Sequence, residues 1–132
     1  MASDTVESLM SKKVIQVDPD CSVTDVVGKL HAYRISCVVV CEEGAPIGVI
    51  TERDIVGLAF SLLSGKDQSQ RLARDLMSSS MTTTRVSDSC DDAANLAERE
   101  RIRHLPVVDD TGQLVGLVTQ SDLLRATTGH PK

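Results

Sequence analysis

The residues best suited to do chemistry in this chain come as two matched sets. Thr51-Glu52-Arg53-Asp54 and Thr119-Gln120-Ser121-Asp122 each set a hydroxyl three residues before a carboxylate. Each follows an apolar run that starts with glycine, Gly48-Val49-Ile50 or Gly116-Leu117-Val118. At a helix start this spacing is a capping box. It is also a small polar site, because a carboxylate in a first turn is held ionised by the helix dipole. The hydroxyl and the free first-turn amides can in turn donate to an anion. Arg103-His104 precedes the second set, where the first has Ser36-Cys37. A guanidinium is a forked anion donor and a thiol is not, so the Asp122 set is the better anion site. Arg53 and Arg34 partly compensate in the first. No nucleophile elbow or P-loop occurs. The two aspartates read as members of separate sites rather than as a pair flanking one bond. The chain therefore reads as a binding module and not an enzyme, with no metal site.

These sets lie inside a longer duplication. Leu9-Met10-Ser11 returns as Leu76-Met77-Ser78, Ser22 and Asp25 as Ser89 and Asp92, and Arg34-Ile35 as Arg101-Ile102. The offset grows by one between Glu42 and Gly112, which places an inserted residue in a turn. One such repeat, at roughly 60 residues, would be marginal alone. The expectation is a pseudo-two-fold module whose halves share one core and one cleft.

Each repeat opens with a short helical stretch, Val6 to Met10 and Leu72 to Met77, then an extended one, Val14 to Val17 and Met81 to Thr84. Ser22 and Ser89, each with an aspartate three residues on, cap amphipathic helices with apolar stripes at Val23, Val26, Val27, Leu30 and at Ala93, Ala94, Leu96, Ala97. Strands follow at Ile35 to Cys41 and Leu105 to Val108. Acidic residues and a glycine then turn the chain into returning strands at Pro46 to Ile50 and Leu114 to Val118. Closing helices run from Asp54 to about Leu63, stopped by Ser64-Gly65, and from Asp122 to about Ala126, before a frayed tail. The result is α+β, two pseudo-symmetric βαββα repeats packed sheet to sheet, over residues 6–64 and 73–126, with a linker at 65–72.

The core must be aliphatic, since Tyr33 and Phe60 are the only aromatics among 132 residues. A net charge of −5 speaks against nucleic acid or an anionic membrane as a general partner. No stretch reaches the roughly 20 apolar residues of a membrane helix, and the polar start is no signal peptide. Cys21, Cys37, Cys41 and Cys90 form no C-x-x-C pair, and Cys37 and Cys41 bracket the apolar Val38-Val39-Val40. That usage implies a reducing cytoplasm, no structural disulfide and inert, buried thiols.

The element order, His104-Leu105-Pro106-Val107-Val108-Asp109 and the two Gly-h-h-Thr-x-x-Asp endings (h, apolar) resemble the CBS (cystathionine β-synthase) domain. The resemblance recurs in both halves, over about residues 6 to 126, and a tandem pair resembles a Bateman module. It implies a regulatory module that senses an adenosine-containing ligand (AMP, ADP, ATP or an S-adenosyl compound) in a cleft between the repeats. Signalling would run through rearrangement of a homodimer, with no tightly held cofactor. By the family's geometry one cleft uses Met10, Val14, Ile15, Ile35 and Ser36 with Arg103, His104, Thr119 and Asp122. The weaker cleft uses Met77, Met81, Thr82 and Ile102 with Cys37, Thr51, Arg53 and Asp54. Asp54 and Asp122 would accept ribose hydroxyls, Thr51 and Thr119 would donate to phosphate, and the base would lie between aliphatic side chains. An effector protein, or an output domain fused beyond Lys132, would receive the signal. The alternative is a ligand-free dimerisation or protein-interaction module whose sites have decayed.

Overall fold

Ser22 and Ser89 do what their positions demand. Each serine Oγ accepts the amide of the residue three on, Asp25 N at 3.1 Å and Asp92 N at 3.0 Å. This satisfies one orphan donor at each helix start. The computed structural model describes residues 4–78 and 81–128, so the end of the tail lies outside the described residues. Its elements are α1 (Val6–Leu9), β1 (Gln16–Val17), α2 (Val23–Tyr33), β2 (Cys37–Glu42), β3 (Ala45–Thr51), α3 (Glu52–Leu63), α4 (Ala73–Leu76), β4 (Thr84–Arg85), α5 (Cys90–Glu100), β5 (His104–Val108), β6 (Leu114–Thr119) and α6 (Gln120–Thr128). The architecture is α+β, with two repeats of like order.

Each repeat builds a three-stranded sheet, β1-β2-β3 and β4-β5-β6. The first pairing in each is parallel and the second antiparallel. A parallel pair cannot be joined by a tight turn, so α2 and α5 serve as the crossovers. The extended segments are shorter than expected: only two residues pair in each, Gln16–Val17 and Thr84–Arg85. Met81 to Thr83 form no strand. The turn follows Arg85, where Asp88 Oδ2 accepts from Thr84 Oγ1 at 2.8 Å and from Arg85 N at 2.9 Å. α6 runs two residues earlier and two later than its pattern suggested.

The two hairpins explain the offset. Glu42 pairs with Ala45 across Glu43-Gly44, both at positive φ (52° and 84°), which is the primed two-residue turn that matches strand twist. In the second hairpin Asp109 N donates to Gln113 O at 3.0 Å, and the turn between them is one residue longer, with Gly112 at φ 85°. Asp109 orders this loop: its Oδ1 accepts from Thr111 N, Thr111 Oγ1 and Gln113 N. These donors favour the carboxylate and hold its pKa below the ordinary value.

The chain forms two compact units that cut across the sequence repeats. A central unit is Ile15–Met81, and a terminal unit joins Met1–Val14 to Thr82–Lys132. The opening helices cause the exchange. Val6 N donates to Asp88 O and Cys90 N to Asp4 O, both at 2.8 Å, so α1 is held at the start of α5. Likewise Ala73 N donates to Cys21 O at 2.8 Å and Arg74 N to Pro19 O at 2.9 Å, which holds α4 at the start of α2. Val6 and Ala73, both 0% exposed, are the apolar anchors.

A single shared core was expected. Two clusters of buried residues form, one per unit, and further buried residues such as Val39 belong to neither. Val17, Val26, Leu30, Val38, Val40, Ile50 and Ala73 form the central cluster. Val6, Cys90, Ala93, Ala97, Leu105, Val107, Val118 and Leu123 form the terminal one. Strand alternation sends Val38 and Val40 into the central cluster and Cys37, Val39 and Cys41 to the other face of β2, where they too are buried.

Candidate functional site

Both Thr-x-x-Asp sets sit where a returning strand becomes a closing helix, and the sheet register decides what stands beside them. In the terminal unit His104 pairs directly across from Thr119, and Gln120 N donates to Arg103 O at 2.8 Å. Arg103, His104, Thr119 and Asp122 therefore meet at one end of one sheet. The opening segment reaches the same sheet: Ser11 and Leu117 exchange backbone hydrogen bonds at 2.8 and 2.9 Å, and Met10 packs against the terminal core. Met10 and Val14 belong to this unit too, whereas Ile15, Ile35 and Ser36 belong to the central one.

The central unit repeats the plan with different chemistry. Cys37 pairs across from Thr51, and Glu52 N donates to Ser36 O at 3.1 Å. Met77 packs against the central core and Ser78 N donates to Val49 O at 3.0 Å. Cys37, Thr51, Arg53, Asp54, Met77 and Met81 share this unit; Thr82 and Ile102 belong to the terminal one.

The carboxylates are spent differently. Asp54 Oδ2 accepts from Thr51 N at 2.8 Å and from Thr51 Oγ1 at 3.4 Å, so it closes the cap of its own helix. At the other site Thr119 Oγ1 accepts from Asp122 N at 3.1 Å, and the Asp122 carboxylate is turned outward to Arg125, with which it forms an ion pair. Arg125 escaped the sequence reading. The one available signal was its place one turn after Asp122, at the spacing that lets helical side chains meet.

Arg34 and Arg101, aligned by the repeat, proved to be the left-handed residues that end α2 and α5, at φ 55° and 57°. Their recurrence follows from a helix stop, where a cation suits the C-terminal dipole.

The thiols are free and three of them are buried. Burial, helped by the Asp54 carboxylate, pushes Cys37 up to about 12, and burial pushes Cys41 up to about 11. A folded pKa above the ordinary 9.0 stabilises the fold fully below pH 9 and is lost as pH rises toward 12. Each such thiol contributes a slope of up to about 1.4 kcal/mol per pH unit in that window. Urea midpoints should thus fall between pH 8 and 10.5, and fall less in Cys37→Ala. Equal pH dependence in the two proteins would refute the assignment.

Among the described residues no three His, Cys, Asp or Glu cluster as a metal site. No helix among them is long and apolar enough to cross a membrane.

Comparison with known proteins decides the family. The CBS domain family matches residues 6–60 and 73–129. The chain belongs to the CBS domain family. This CBS pair is 36% identical over 126 residues to the uncharacterized protein MK0525 of Methanopyrus kandleri, covering 95% of this chain and 63% of that one. It is 33% identical over 132 residues to the inosine-5′-monophosphate dehydrogenase of Mycobacterium tuberculosis, covering 99% of this chain and 22% of the enzyme. The chain thus spans less than two thirds of these relatives. Among solved structures, CBSX2 in complex with AMP superposes with a TM-score of 0.80 at 29% identity, over 96% of this chain and 98% of that one; CBSX2 comes from Arabidopsis thaliana. The CBS domain pair of protein MJ0100, in complex with 5′-methylthioadenosine and S-adenosyl-L-methionine, superposes with a TM-score of 0.79 at 26% identity, over 96% and 98% of the two chains.

Proposed function

We propose that this CBS pair is a cytoplasmic regulatory module that binds an adenosine-containing ligand at the Asp122 site and signals through rearrangement of a homodimer. The observation that carries the reading is the register pairing of His104 with Thr119. It sets cationic, hydroxyl and carboxylate groups at one sheet end, beside the apolar Met10 segment. A nucleoside needs these groups: an acceptor for its ribose diol, donors for phosphate and an apolar bed for its base. The adenosine ligands of CBSX2 and MJ0100 support the ligand class. Thermal-shift titration with AMP, ATP, 5′-methylthioadenosine and S-adenosylmethionine tests it; no stabilisation at millimolar concentration by any of them would sink it.

The alternative, an interaction module with decayed sites, gains from the central unit. There Asp54 is committed to its own cap and the thiol of Cys37 stands where the terminal unit has His104. We assign Asp54 to helix capping and the ligand to Asp122.

The homodimer reading rests on α3. Val56, Ala59, Phe60 and Leu63 fall on one stripe at i, i+3, i+4 and i+7, and all four are exposed, Phe60 at 72% and Leu63 at 89%. An apolar stripe of this kind calls for a partner helix. A second copy fits it by symmetry: antiparallel pairing centred between Ala59 and Phe60 sets the exposed Val56 of one copy opposite the exposed Leu63 of the other. Phe60→Asp should convert the dimer to monomer in sedimentation without lowering the thermal midpoint of the monomer. A wild-type monomer at about 100 μM, weaker than most functional dimers, would dismiss this interface.

A further inference from the structure

The Asp122–Arg125 ion pair has no counterpart in the other unit. The position that matches Arg125, three residues after Asp54, is Gly57. Side-chain exposure is 74% for Arg125 and 31% for Asp122, so solvent and salt screen the pair and it is readily exchanged. It also occupies the carboxylate that the proposed site needs for a ribose diol. The pair engages Oδ1 alone, so a ribose diol that takes both carboxylate oxygens competes with Arg125 there, and its affinity depends on what the ligand offers the guanidinium in return.

A 5′-phosphate offers a better partner than the carboxylate, with more charge and a forked geometry that matches a guanidinium. Side chains three apart on a helix stand roughly 5–6 Å apart at their Cβ atoms. Arg125 thus stays within reach of a phosphate on the same nucleoside whose ribose Asp122 holds. A neutral thioether or free nucleoside offers nothing, and a sulfonium adds a second positive charge beside Arg125.

We propose that Arg125 is a specificity-determining residue. Its guanidinium moves from Asp122 to the ligand's 5′-phosphate, so the site takes adenosine phosphates and rejects unphosphorylated adenosyl compounds. This inference rests on the nucleotide reading of the Asp122 site. In α3, Gly57 leaves the equivalent position without a side chain to play that part.

The test is calorimetric titration of the full chain with AMP and with adenosine, in wild type, Arg125→Gln and Arg125→Lys. The wild type should prefer AMP. In Arg125→Gln the affinity for AMP should fall about tenfold or more, while adenosine binds as before or more tightly, so the preference, with Arg103 and Thr119 left to donate to the phosphate, shrinks by at least that factor. Arg125→Lys should restore part of it. If AMP binds and the AMP-to-adenosine ratio is the same in all three proteins, Arg125 has no such role and the nucleotide reading stands. If AMP fails to bind the wild type while adenosine binds, the phosphate preference is refuted. If neither binds, both readings fall together.

Discussion

Gly48→Ala should be the most destabilising single methyl addition in this protein. A Cβ built at Gly48 would stand 2.5 Å from Met77 Sδ and 2.8 Å from the carbonyl oxygen of Ser78. Gly116 meets the matching pair, Met10 Sδ at 2.5 Å and Ser11 O at 3.0 Å. Neither glycine has positive φ, so the requirement is space and not backbone freedom. In each unit the strand gives up its side chain so that the opening segment can run alongside it, bridged at Val49–Ser78 and Ser11–Leu117. A methionine chain can swing away from a new methyl, whereas a carbonyl inside a hydrogen-bonded bridge cannot. Overpacking of this kind costs about 1–3 kcal/mol, with Gly48→Ala at the upper end and Gly116→Ala below it. Removing the flexible obstacle separates the two cases. Met10→Ala should rescue more of the Gly116→Ala loss than Met77→Ala rescues of the Gly48→Ala loss, because the carbonyl that remains stands at 3.0 Å at Gly116 and at 2.8 Å at Gly48. A double-mutant cycle read by urea denaturation decides this. Equal rescue at both sites would show that the backbone contact at Gly48 relaxes freely.

The same contacts show what a repeat in sequence can and cannot tell. Serine caps, the Glu43-Gly44 turn and the strand alternation are local, so each could be read from a few neighbouring residues. The partner of the opening segment is not local. Val6 donates to Asp88 across a long stretch of chain, and a repeat offset states that two segments are alike without stating which copy each packs on. Val6 and Ala73 are both small apolar residues on one-turn helices, equally able to fill either unit. For that reason the compact units cut across the sequence repeats. The Thr-x-x-Asp sites were legible as residues but not as chemistry. Both motifs predict a cap; only the side-chain contacts reveal that Asp54 accepts its own cap amide while Asp122 faces Arg125.

That difference makes the two aspartates separable by experiment. Asp122→Ala should abolish measurable binding of AMP, a loss of about 100-fold or more, since in the proposed site it removes a charged acceptor for two ribose hydroxyls at about 1.5–3 kcal/mol each. Its effect on stability should be small, because the surface pair it breaks is worth about 0–1 kcal/mol. Asp54→Ala should show the reverse. It removes the acceptor of the Thr51 amide at 2.8 Å and should lower stability by about 1 kcal/mol, the usual worth of a helix cap, with AMP affinity changed less than threefold. The two measurements on two variants form a crossed design in which fold damage cannot imitate loss of a ligand group. Should Asp54→Ala lose AMP while Asp122→Ala retains it, the ligand belongs to the central unit, and a capping carboxylate would there be doing both jobs.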